Sequence, residues 1–152
     1  MIDILVISIT SPILVGVYQN KKLIDTVSID GKTSDILPVI FKDLLKTYDI
    51  SSISYVNGPG SFMAIKVSYI FLRTICIVNN IKLLSSSGFN FNNNTPIKAL
   101  GKKYFFKAQD GKIILDFLND ENLLSPFELP MMLNEEWLSE NNEPNYNLPA
   151  VN

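Results

Sequence analysis

Ser61 lies in the run Val56-Asn57-Gly58-Pro59-Gly60-Ser61-Phe62-Met63-Ala64-Ile65-Lys66, where an apolar strand ends, the chain turns and a helix opens. Three uses suit such a place: a serine nucleophile at a strand-to-helix elbow, a phosphate cradle of helix N-terminal amides, or a close passage of backbone over a sheet. The nucleophile has no base. The chain contains no histidine, which removes Ser-His-Asp and Cys-His catalysis, histidine proton shuttles and histidine-based metal sites together. The phosphate cradle lacks a Walker lysine and a magnesium-binding hydroxyl. The residues therefore favour a structural turn made by Gly58, Pro59, Gly60 and Ser61. The glycines supply backbone angles closed to other residues, with Gly60 expected to hold the glycine-only conformation, and Ser61 caps the next helix.

Other side chains with chemical potential are few. Asp3, Asp25 and Asp30 could offer hard oxygen ligands to a metal, but at strand ends they are expected to be solvated. Cys76 is the single cysteine and falls inside an apolar helix, so neither a disulfide framework nor a zinc cluster is expected, and a reducing cytoplasm fits. With 152 residues, 47% of them apolar, the chain can bury a real core. A formal charge of -2 with mixed signs offers no basic patch for direct, tight nucleic-acid binding. Met1-Ile2-Asp3-Ile4 has no cationic start like that of a signal peptide. The apolar stretch Phe62 to Val78 falls short of the roughly 20 residues of a membrane span and carries Lys66 and Arg73. A soluble chain with no membrane contact is expected.

The elements that must position these residues follow from periodicity and breakers. Ile4 to Ile9, Ile13 to Tyr18 and Leu23 to Ile29 read as an antiparallel meander, with Ser11-Pro12 and Asn20-Lys21-Lys22 between them. Thr33-Ser34-Asp35 supplies capping side chains for a helix over Ile36 to Tyr48, with Pro38 in its first turn. A strand at Ile53 to Val56, the glycine turn, a helix to Val78 and a strand at Ile81 to Leu84 complete the order β-β-β-α-β-α-β. That order is the ribonuclease-H-like half-domain of actin-like (ASKHA) α/β proteins, with a mixed sheet and helices. It is assigned to residues 1–90. A polar linker with Asn92-Asn93-Asn94 precedes a truncated second lobe and tail over 96–152. That portion is expected to hold strands at Ile97 to Leu100, Tyr104 to Ala108 and Ile113 to Phe117, a hairpin turn at Asp110-Gly111, and one or two short helices between Ser125 and Ser139.

The helices carry more apolar surface than one-sided packing uses. In the first, Ile36, Leu37, Ile40, Phe41, Leu44, Leu45 and Tyr48 span about 180°, against about 100° for a single buried stripe. In the second, Met63, Val67, Phe71, Ile75 and Val78 are expected to face the sheet. Phe62, Tyr69, Ile70 and Ile77 surround Lys66 and Arg73 on another side. Cations among apolar residues suit a protein interface with charged specificity points, placed at Ile40, Phe41, Leu44, Phe62, Lys66, Tyr69, Ile70, Arg73 and Ile77. From the residues alone, cover by the chain's own C-terminal lobe is equally open.

The glycine run resembles the GPGSFTGLR signature of the TsaB family: Gly58 to Phe62 match, Ile65 and Lys66 match conservatively, and Met63 and Ala64 depart. Ile4 to Pro12 is similar to the family's opening strand, ILAIDTSTP, with Ser8 where the family has aspartate. Thr33 to Pro38 resembles its HSE-x-LLP helix start, with Thr33 for the histidine and Asp35 keeping an acid. Pro144-Asn145-Tyr146-Asn147 is similar to its terminal P-x-Y-L-R without the arginine, and Lys98 to Phe106 faintly resembles its DAR-x-GEVY segment. The resemblance implies a shortened subunit with no cofactor and no catalysis of its own. It implies pairing with a TsaD-type transferase through a bundle of the two helices, and support for threonylcarbamoylation of the adenosine next to the anticodon in tRNA. A TsaE-like ATPase would cycle the complex, and tRNA would be met only through it. The alternatives are a divergent actin-like ATPase or glycoprotease-like hydrolase, and a scaffold that self-associates into a homodimer through the same helices.

Overall fold

The computed structural model describes residues 1–146. Strands β1 (Ile2–Ile7), β2 (Ile13–Gln19) and β3 (Lys22–Ile29) form the meander. Helix α1 (Thr33–Thr47), strand β4 (Ile50–Gly58), helix α2 (Phe62–Asn79) and strand β5 (Lys82–Ser87) follow in the expected order. The sheet runs β3-β2-β1-β4-β5, antiparallel through the meander and parallel from β1 to β4 to β5. Its central strand β1 is buried at every residue, so its side chains alternate between two cores. Ile2, Ile4 and Val6 face the helices with Leu37, Phe41, Tyr55 and Leu72, while Leu5 and Ile7 face the other way with Tyr18, Val56, Phe91 and Leu133.

Two helices cover one face and the C-terminal segment covers the other. Tyr18 donates its hydroxyl hydrogen to the Pro130 carbonyl at 2.7 Å, and Leu133 N–H donates to the Lys21 carbonyl at 2.8 Å. Further on, Ser85 and Ser139 exchange backbone hydrogen bonds at 2.9 and 2.8 Å, which closes the outer edge of β5. This C-terminal segment is a strap across the sheet; a separate second sheet of β6 (Ile97–Lys98), β7 (Lys103–Lys107) and β8 (Ile113–Phe117) packs Phe105 against Phe89 and Ile97. Residues 147–152, which end the expected second lobe and include Asn147 of the terminal motif, lie outside the described residues.

Local departures have identifiable causes. Helix α1 starts at Thr33, so Thr33, Ser34 and Asp35 form its first turn, and its N-cap is Lys32 without a side-chain bond. Pro38 therefore sits inside the helix and lacks the N–H that would bond the Ser34 carbonyl. The Ser125–Ser139 stretch holds only one 3-10 turn, Glu135–Trp137, and another, Glu121–Leu123, precedes it. Its amides bond the rest of the fold instead of a helix, as Glu128 N–H to the Phe91 carbonyl shows.

Candidate partner interface

Helix α2 opens on Ser61, whose Oγ accepts from Ala64 N–H at 3.5 Å, the expected cap. The glycine-only conformation belongs to Gly58, at φ +140°, and not to Gly60, whose φ lies outside the left-handed region. At Gly60 the fit is close: a Cβ there would lie 3.1 Å from Ile9 Cβ, so the Ile9 side chain would have to give by a few tenths of an ångström. At Gly58 a Cβ would fall 1.9 Å from the Asn145 carbonyl oxygen, and Asn145 N–H donates to the Asn57 carbonyl at 2.8 Å. The turn is thus a seat for the chain's own tail.

Buried α2 residues are Ile65, Ser68, Leu72 and Cys76, with Phe71, Ile75 and Tyr69 packed at their flanks. The helix is rotated from the expected orientation: Met63 and Val78, assigned to the sheet, are 63% and 76% exposed. Ser68 shares the sheet-facing side with apolar Ile65, Leu72 and Cys76, and its hydroxyl meets the buried Ser8 hydroxyl at 2.5 Å. Burial also pushes the Cys76 thiol up to about 11.

Helix α1 has no surplus face. Ile40, Phe41 and Leu44 are buried, with the Phe41 ring edge-on to Phe71 at 6.0 Å. The wide apolar arc of α1 is spent on the sheet and on α2 at once, so these three expected interface residues belong to the core. Only Val39 among its large apolar residues is exposed.

The outward stripe of α2 is therefore Met63, Lys66, Ile70, Arg73 and Ile77, spaced by three and four. Ile70 is 54% and Ile77 69% exposed. Lys66 Nζ stands 5.9 Å from the Phe62 ring centroid, and Arg73 lies 5.7 Å over Tyr69 while donating from Nη1 to its hydroxyl at 2.7 Å. Neither cation pairs with a carboxylate among the described residues. Tyr69 in turn rests on Tyr55, whose hydroxyl donates to the Asn142 carbonyl. Phe62 is stacked on Tyr146 at 4.3 Å, so the tail reaches the N-terminal end of α2. Beside it, Ser34, Pro38, Val67, Ile70, Phe71 and Thr74 line a shallow groove of about 360 Å³. Met63 is the stripe residue that the sequence pattern assigned elsewhere, and the three-and-four spacing from Lys66 was the available signal for it. By length and apolar composition α2 could cross a membrane, yet it is docked on β4 and β5 through its buried side.

The expected carboxylates divide. Asp25 is exposed and Asp30 accepts from Ser11 at 2.7 Å on the surface, but Asp3 is 1% exposed. Asp3 accepts from Lys21 Nζ at 3.0 Å and Ser52 Oγ at 2.5 Å, a buried pairing in place of the expected solvated strand end. Burial pulls the Lys21 ammonium down, but Asp3 and Glu135 outweigh it and hold its pKa above the ordinary value. A second cleft of about 420 Å³, lined by Ser8, Thr10, Ser11, Lys32, Thr33 and Met63 among others, opens between the end of β1 and the starts of both helices.

No family model matches the sequence, and no curated protein does. Among solved structures the chain is similar to YeaZ (TsaB) from Pseudomonas aeruginosa, at TM-score 0.56 and 13% identity, over 76% of this chain and 63% of that one. It is also similar to an uncharacterized protein described as having similarity to peptidase YeaZ from Pseudomonas aeruginosa, at TM-score 0.53, 14% identity and the same coverage. The fold is the mixed-sheet, actin-like α/β fold of these proteins. The chain spans 63% of their length.

Proposed function

We propose that this chain is a TsaB-like subunit without catalysis or cofactor of its own, which binds a TsaD-type transferase in the cytoplasm. Through that complex, with a TsaE-like ATPase, it supports threonylcarbamoylation of the adenosine next to the anticodon in tRNA. The observation that carries the reading is the α2 stripe left uncovered by the described residues on a YeaZ-like fold, with Ile70 exposed between Lys66 and Arg73, Ile77 exposed beyond them, and neither cation paired with a carboxylate among those residues. Such a face suits a partner that offers an apolar groove flanked by acids. The interface residues proposed are Lys66, Ile70, Arg73 and Ile77, with Phe62 and Tyr69 as supports and Met63 added.

The test is copurification with a TsaD-type protein of the same cell, followed by Ile70→Asp. An unpaired carboxylate in the contact should weaken binding at least about tenfold, which corresponds to about 1.4 kcal/mol. The free chain should melt nearly as before, because Ile70 is already wet. Unchanged affinity of a folded Ile70→Asp chain would remove the stripe from the interface.

A further inference from the structure

Strand β8 ends its sheet: it pairs with β7 on one side and with nothing on the other among the described residues. Ile114, Leu115 and Phe117 are exposed there. Open apolar edges are templates for another strand, and the described residues close the β5 edge with Ser139 while leaving β8 uncovered.

The hairpin determines which backbone groups face outward. Ala108 N–H donates to the Lys112 carbonyl at 2.8 Å, and the register continues as Lys107↔Ile113, Phe106↔Ile114 and Phe105↔Leu115. Bonded and non-bonded pairs alternate along an antiparallel ladder. Ile114 and Asp116 thus bond β7, while Ile113 and Leu115 aim their N–H and C=O groups at the open side.

The sequence Lys112-Ile113-Ile114-Leu115-Asp116 is complementary to itself in the antiparallel sense. Centred on Ile114, a second copy sets Ile113 against Leu115 and Lys112 against Asp116, each twice. The outward groups of Ile113 and Leu115 then meet one another, as the ladder requires. Centring on Leu115 keeps that parity but sets Asp116 against Ile114 and Lys112 against Leu118, and both ion pairs are lost. Asp116 already accepts from Phe117 N–H with Oδ1 at 2.7 Å, and a carboxylate has a second oxygen to offer. We infer that the β8 edge docks a second copy of this chain by antiparallel β8–β8 pairing centred on Ile114, with Lys112 and Asp116 fixing the register. A contact of this length is small, so the dimer is a weak one.

Sedimentation equilibrium on the full chain, over a wide concentration range, tests it. Leu115→Pro deletes an outward amide and spares the β7 ladder, so it should weaken association about tenfold or more. Lys112→Glu and Asp116→Lys should each weaken it, and the two together should restore it, since the opposed charges are then merely exchanged. Circular dichroism checks folding. If Leu115→Pro unfolds the chain, the exposed charge variants decide alone. A chain monomeric throughout, a dimer indifferent to Leu115→Pro in a folded chain, or a charge exchange that fails to restore pairing overturns the inference. So does a dimer abolished by Ile70→Asp, which would place self-association on α2.

Discussion

Gly58 and Gly60 stand two residues apart in one turn, and the geometry around them predicts different costs. Gly58→Ala combines a left-handed backbone with a clash against the Asn145 carbonyl, and should cost about 1–3 kcal/mol in urea unfolding. Gly60→Ala meets only Ile9, in a backbone that any residue can adopt, and should cost less. A larger loss at Gly60 would contradict the assignment. The turn was legible in the sequence as a turn, because glycine, proline and a capping serine are local signals. Which glycine bears the strain was not legible, since the decisive neighbour is Asn145, far along the chain. Asp3 teaches the same lesson: its burial is fixed by Lys21, Ser52 and a strap that no local pattern announces. Lys21→Met should leave the Asp3 carboxylate short of its counter-charge and cost about 2–4 kcal/mol. Glu135→Gln, at an exposed end of the same chain of charges, should shift stability by no more than about 0.5 kcal/mol.

At the level of elements, hydrophobic periodicity identified both helices and the strands of the main sheet, because each of them buries a face with a regular repeat. The orientation of those faces was harder to read. The apolar arc of α1 exceeds a single stripe because a helix wedged between a sheet and a second helix buries two sides, and Phe41 against Phe71 is that second side. On α2 the face that periodicity turns toward the sheet is met only in part: Phe71 and Ile75 flank the buried side, Met63 and Val78 are exposed, and Ile65, Ser68, Leu72 and Cys76 are buried, with the Ser68 hydroxyl bonded to Ser8. Ser68→Val should test what that hydroxyl pair contributes. It leaves the Ser8 hydroxyl buried without its partner, and is expected to destabilise by about 1–3 kcal/mol. Ser8→Ala with Ser68→Ala removes both polar groups and should cost less than the sum of the two single changes, measured in a double-mutant cycle. Additive losses would mean that the two hydroxyls are not energetically coupled.

For the whole molecule the informative asymmetry is that helices cover one face of the sheet and the C-terminal segment covers the other. An actin-like half-domain was legible from element order, but the strap was not, because its residues hold the fold through irregular backbone bonds and scattered anchors such as Phe127, Leu129 and Leu133. The strap also governs how the molecule meets alkali. Burial pushes the Tyr18 and Tyr55 phenols upward, and both hydroxyls donate to strap carbonyls, at Pro130 and Asn142. Lys21, raised by Asp3 and Glu135 against the opposing effect of burial, ties the strap at a third point. Groups with raised folded-state pKa values contribute stability that is complete below their unfolded values and is lost as pH climbs toward the folded ones. Stability from these groups should therefore hold through neutral pH and fall as pH rises past about 10, where free tyrosine and lysine begin to titrate. Tyr55→Phe should lower stability near neutrality by about 1 kcal/mol, for the lost bond to Asn142, and flatten the alkaline fall. Urea unfolding from pH 7 to about 11 measures both effects, and an alkaline limb equally steep in Tyr55→Phe would show that this strap contact does not carry the dependence.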